Sequence, residues 1–113
     1  MRVPETSVVD EAQPAYKRIR TLLDLGLFVQ AQQLLDHLPP GEIESAQARF
    51  LHGLACVKLG QLREAVATLE RLMAQVPDNG YSYHYLGLGE GGRGNVGGAT
   101  ACFRRALELP QKP

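Results

Sequence analysis

The stretch AQARFLHGLACVKLGQLREAVATLERLMAQVPDN, residues 46–79, carries the pattern that decides the fold. In its second half Leu62, Ala65, Val66, Leu69, Leu72, Met73 and Val76 recur at intervals of three and four, which is one face of a helix. In its first half Phe50, Leu51, Leu54, Ala55 and Val57 do the same, with Gln47, Arg49 and Lys58 interspersed. Gly60 separates the two, and a glycine there takes a left-handed cap conformation without steric penalty. Pro77 closes the second half, because proline cannot continue a helix. The stretch is one antiparallel helical hairpin of 34 residues.

The same spacing extends along the chain. Gly26, Gly60 and Gly94 are 34 apart, as are Ala31, Ala65 and Ala99, and as are Leu35, Leu69 and Phe103. Three sets of positions with one period mark an internal repeat. Strand signals are missing, since no sustained two-residue alternation runs between turn residues. The pattern predicts six helices, at roughly 14–25, 28–38, 43–59, 62–76, 81–91 and 96–109. Pro39-Pro40, Pro77 and Pro110 mark the ends of the second helices. The expected fold is all-α, an α-solenoid of three antiparallel helix-turn-helix repeats. Residues 1–11 read as a flexible arm, followed by a domain over 12–113 with units of about 12–45, 46–79 and 80–113.

A helical hairpin repeating at this period resembles the tetratricopeptide repeat (TPR) family, whose pattern is W-x2-L-G-x2-Y, then A-x3-F, then P. In the middle unit Gly53 takes the small position, Cys56 the aromatic one, Ala65 the alanine, Leu69 the phenylalanine and Pro77 the proline, while Arg49 and His52 depart from it. The third unit has Tyr83, Leu86-Gly87, Ala99 and Phe103 in register and departs at Glu90. The first keeps Ala31 and Leu35 but has Ile19 at the small position. Small residues let the two helices of a hairpin approach, nearest where Gly53 meets the region around Ala65, and large ones fill the wider gaps. The resemblance implies a protein-interaction module that binds a peptide or partner protein on a concave face, as an adaptor or in a chaperone-like role, not as an enzyme. It places Tyr16, Arg20, Leu23, Asp24, Gln47, Phe50, Leu54, Val57, Lys58, Tyr81, His84 and Leu88 on that face. This set suits an apolar or mixed peptide. The Lys, Asn and Arg set with which TPR co-chaperones grip a C-terminal carboxylate is absent, because the matching places carry Tyr16, Arg20, Leu54, Tyr81 and Tyr85. No polar capping helix follows Leu107 and Leu109, so the alternative is a scaffold that self-associates through Phe103 and Leu107 of the C-terminal helix.

Composition narrows the choice. Lys plus Arg and Asp plus Glu are 12 each, so no global field draws the chain to nucleic acid or an anionic membrane. No apolar run is long enough to span a bilayer, and the N-terminus lacks a signal-peptide core. Cys56 and Cys102 form no CxxC pair, which favours a reduced, cytoplasmic setting. His52 and Cys56 could share a helical face, with His84 as a third ligand but no fourth, so no metal or other cofactor is expected. A packed core histidine and a small apolar cysteine are the simpler assignments. The string Gly87-Leu88-Gly89-Glu90-Gly91-Gly92 matches G-x-G-x-x-G but follows no strand, so no nucleotide site is expected. Seven glycines between Gly87 and Gly98 read as a weak, frayed helix end.

Overall fold

The computed structural model describes residues 13–77 and 79–109. Among these the chain is helical, with no strand: α1 (Gln13–Asp24), α2 (Phe28–Asp36), the single turn α3 (Pro40–Ile43), α4 (Ala46–Leu59), α5 (Leu62–Gln75), α6 (Gly80–Gly92) and α7 (Val96–Glu108). The proposed N-terminal arm and Pro110 lie outside the described residues. Helices α1–α2, α4–α5 and α6–α7 form three hairpins, and each packs on its neighbour in the order of the chain. The described residues extend over 55 × 28 × 23 Å, the shape of a short stack.

The repeat holds at the level of single hydrogen bonds. Gly26, Gly60 and Gly94 have φ of 80°, 77° and 90°. After each, the next residue's N–H reaches back five positions: Leu27 to Leu22 (2.8 Å), Gln61 to Cys56 (2.9 Å) and Asn95 to Glu90 (2.9 Å). This closure satisfies carbonyls that the helix end would otherwise leave open. Ala31, Ala65 and Ala99 are all buried, one turn into the second helix. Ser45 and Asn79 cap α4 and α6: Ser45 Oγ accepts from the Ala48 N–H at 3.1 Å, and Asn79 Oδ1 from the Tyr81 N–H at 2.9 Å.

Two expectations are corrected at the first boundary. No helix runs from 43 to 59. Helix α2 ends at Asp36, Pro40 opens the separate turn α3, and α4 starts after its Ser45 cap. Proline suits the first position of a helix, where its missing N–H costs nothing, so Pro40 starts a turn instead of ending a helix. Glu42 lies in the first turn of α3, where its charge is favourable.

The close contact within a hairpin also differs from expectation. A Cβ on Gly53 would lie 2.6 Å from Leu69 Cδ2 and 2.7 Å from its Cγ, so Leu69, not Ala65, is what the glycine admits. One repeat later, a Cβ on Gly87 would lie 2.7 Å from Phe103 Cε1. The large residue does not fill a wider gap elsewhere; it packs onto the bare backbone of the glycine opposite. The same logic explains much of the glycine-rich stretch. It is helical through Gly92, and a Cβ on Gly89 or Gly92 would meet Val66 at 3.1 Å or Leu62 at 2.5 Å. These glycines let α6 lie close against α5 and α7.

Candidate partner-binding groove

Along one side of the stack, α1, α4 and α6 lie side by side and enclose a groove with two adjoining basins. The first, of about 260 Å³, is lined by Arg20, Leu23, Asp24, Phe28, Phe50, Leu54, Lys58, Tyr81 and Tyr85. The second, of about 340 Å³, shares Arg20 and Phe50 and adds Ala46, Gln47, Leu72, Val76 and Asn79. Of the side chains expected on the concave face, Arg20, Leu23, Gln47, Phe50, Leu54, Lys58 and Tyr81 come together here.

The floor is aromatic. The Phe50 ring centroid is 5.5 Å from that of Tyr81 and 6.0 Å from that of Tyr85, and the two tyrosine rings are 5.3 Å apart. Tilted and edge-to-face contacts at these separations are the favourable arrangements for quadrupolar rings. Burial, reinforced by Tyr81, pushes the Tyr85 hydroxyl up to about 12. It therefore stays protonated at neutral pH and can donate as well as accept. Arg20 and Lys58 stand exposed at the rim, and among the described residues neither enters an ion pair. The groove thus combines a packed apolar floor with exposed cationic edges.

Four expected residues lie elsewhere. Tyr16 is buried, and its hydroxyl donates to Glu42 Oε1 at 2.7 Å and lies 3.1 Å from Ser45 Oγ. It ties α1 to the turn α3 and to the cap of α4, so it is a structural residue. Burial, together with Glu42 and against the opposing hydrogen bond from Ser45, pushes its hydroxyl above the usual tyrosine range. His84 turns into the third hairpin, its ring 5.2 Å from Tyr85 and 5.7 Å from Phe103. Val57 packs against the core, and Leu88 is exposed outside both basins. Asp24, expected on the concave face with Arg20 and Leu23, also lines the first basin, while Phe28 and Tyr85 line it without having been placed on that face. Tyr85 follows Tyr81 by one helical turn, a spacing that could have flagged it.

No protein-family model matches the chain, and no curated protein matches it in sequence. Among solved structures it is similar to the MamA RS-1 ArsTM double mutant, with a TM-score of 0.74 and 21% identity. The fold is a TPR-like helical repeat. The match covers 84% of this chain and 53% of that one, so the chain spans about half the length of the solved structure. At that identity the likeness speaks to architecture, and the TPR-like repeat must be read for function from its own surface.

That surface corrects three further expectations. Phe103 is packed on Gly87 and His84 and is not a free end-face residue, whereas Leu107 is 88% exposed. His52 is no core histidine: it is half-buried, and its Nε2 lies 3.1 Å from Glu64 Oε2. His84 is not beside His52 and Cys56; Glu64 is, with ligand atoms of all three within 4.8 Å of one another. Among the described residues no helix is long and apolar enough to cross a membrane.

Proposed function

We propose that this TPR-like repeat is a protein-interaction module, an adaptor or chaperone-like carrier, that holds a peptide segment of its partner in the groove between α1, α4 and α6. One observation supports this above the others: the half-buried rings of Tyr81 and Tyr85, backed by the buried Phe50 of the preceding repeat, form an aromatic floor between Arg20 and Lys58, which enter no ion pair among the described residues. Rigid aromatics give large contact area at low entropic cost, and they dominate binding energy where they sit centrally. An extended segment with one or two apolar anchors suits the floor, and acidic residues flanking them suit the rim.

The test is selection from a displayed random peptide library on the purified chain, followed by calorimetry. Enriched peptides with an apolar centre are expected to bind the wild type and to lose about tenfold or more with Leu54→Glu and with Lys58→Glu, at unchanged helicity. Equal binding by both variants would remove the groove from the function. A second reading, self-association, rests on the 88% exposure of Leu107. It predicts that Leu107→Glu lowers the solution mass, which sedimentation would show.

A further inference from the structure

On the other side of α4, roughly 200° around the helix from the groove residue Phe50, stands His52. Cys56 follows His52 by one helical turn, and Glu64 reaches toward both from the first turn of α5. Nδ1 or Nε2 of His52, Sγ of Cys56 and a carboxylate oxygen of Glu64 all lie within 4.8 Å of one another. The shortest separation, His52 Nε2 to Glu64 Oε2, is 3.1 Å. Ligands around a tetrahedral zinc ion lie about 2.0–2.3 Å from the metal and so about 3.3–3.8 Å from each other. The separations present, 3.1 Å at the shortest and within 4.8 Å throughout, bracket that spacing, and Glu64 is exposed and His52 half-buried.

We infer that His52, Cys56 and Glu64 form a binding site for a borderline divalent cation, with Zn²⁺ as the best fit. The donor set is the mixed nitrogen, sulfur and oxygen type that zinc takes. Charge balances, because a thiolate and a carboxylate offset the ion while the imidazole stays neutral. Gln32 supplies an outer contact: its Nε2 lies 3.6 Å from Cys56 Sγ and donates to Gln61 Oε1 at 2.8 Å, which holds the amide toward the sulfur. His52 and Glu64 also line an open cleft of about 420 Å³ that includes Asp36, Glu44, Arg49 and Arg71. The cleft opens onto the His52 and Glu64 side of the site, where a water would be the fourth ligand, whereas Cys56 is fully buried and does not line it. On binding, the S–H bond of Cys56 breaks, a metal–sulfur bond forms and the proton passes to solvent; no electron moves. The ion would pin α4 to α5 within the middle hairpin, independently of whether the groove binds peptide.

The experiment is Co²⁺ titration of the reduced, tag-free full chain, followed by displacement with Zn²⁺. The expected result is a one-to-one complex with thiolate-to-cobalt absorption in the near ultraviolet, abolished by Zn²⁺ and absent in Cys56→Ser. Gln32→Ala is expected to weaken Zn²⁺ by about tenfold and Glu64→Gln by more, while Cys102→Ser leaves it unchanged. His52→Gln and Glu64→Gln sit on half-buried and exposed positions. Loss of the band in these two variants, with helicity intact, supports the site even if Cys56→Ser fails to fold. No thiolate band in the wild type, a band that survives Cys56→Ser, or one that depends on Cys102 would each overturn the proposal.

Discussion

Two hydroxyls, one buried and one partly so, show how single residues tune this stack. Ser82 is fully buried, and its Oγ has no hydrogen-bond partner among the described residues. One repeat earlier the same position is Ala48, also buried. An unsatisfied buried hydroxyl costs about 1–3 kcal/mol, so Ser82→Ala is expected to stabilise the protein by about 1 kcal/mol. Thermal unfolding checks it, as an upward shift of several degrees in Tm. Tyr85 acts through its proton instead. The unfolded tyrosine ionises near 10.0, while burial holds the folded one to about 12. Between these values the folded state binds more protons than the unfolded one, so stability falls as pH rises, and the contribution is fully present below the lower value. Tyr85→Phe is expected to flatten the decline in urea midpoint across that window. An unchanged slope would mean that Tyr85 is more hydrated than its packing against Phe50 and Tyr81 indicates.

At the scale of elements, glycine has three different uses, and alanine substitution separates them. Gly60, at φ 77°, closes the α4–α5 hairpin, and Gly60→Ala forces a left-handed alanine at about 1–2 kcal/mol. Gly53→Ala drives a Cβ to 2.7 Å from the branch carbon of Leu69, which cannot swing aside like a chain end. Overpacking of about 1–3 kcal/mol then outweighs the helix propensity that alanine gains. Gly91 has neither constraint, since its Cβ would meet Ala99 Cβ at an ordinary 3.5 Å, and Gly91→Ala is expected to stabilise α6 by up to about 1 kcal/mol. Denaturant melts of the three variants check both signs. The turn glycines were legible in the sequence because φ is a local property and the period repeats it. Of the helix-contact glycines, Gly53 was legible as a small position but its partner Leu69 was not, and Gly87 and Gly91 look alike until Phe103 and Ala99 are placed opposite them. For the same reason the turn α3 escaped notice: Pro39-Pro40 reads as a stop, and only the Tyr16–Glu42 bond shows what the turn holds.

At the scale of the whole molecule, equivalent positions do not have equivalent surroundings, and this limited how much of the groove the sequence could show. Tyr16, Phe50 and His84 are 34 residues apart. Only Phe50, with a hairpin on either side, lines the groove; Tyr16 is claimed by α3, and His84, on the last hairpin, turns to Phe103. The period therefore located the first helices that carry the groove but not which residues at its two ends would face it. The same inequality governs stability. In a stack where each hairpin touches only its neighbours, the central unit gains two interfaces and the outer ones a single interface each. Leu51, Ala55, Cys56, Ala65 and Leu69 of the central hairpin are all fully buried. The first hairpin has Ile19 where the others place a packing glycine, and α7 presents Leu107 to solvent. Local opening energies follow such contacts. Native-state hydrogen exchange is thus expected to be slowest in 51–56 and 65–69 and faster in α1, α2 and α7. A destabilising change in α7, such as Phe103→Ala, should speed exchange there first and in α4 least. Uniform exchange across all three hairpins, falling together with Phe103→Ala, would instead mean that the stack unfolds as one cooperative block, with interfaces strong enough to erase the difference between centre and ends.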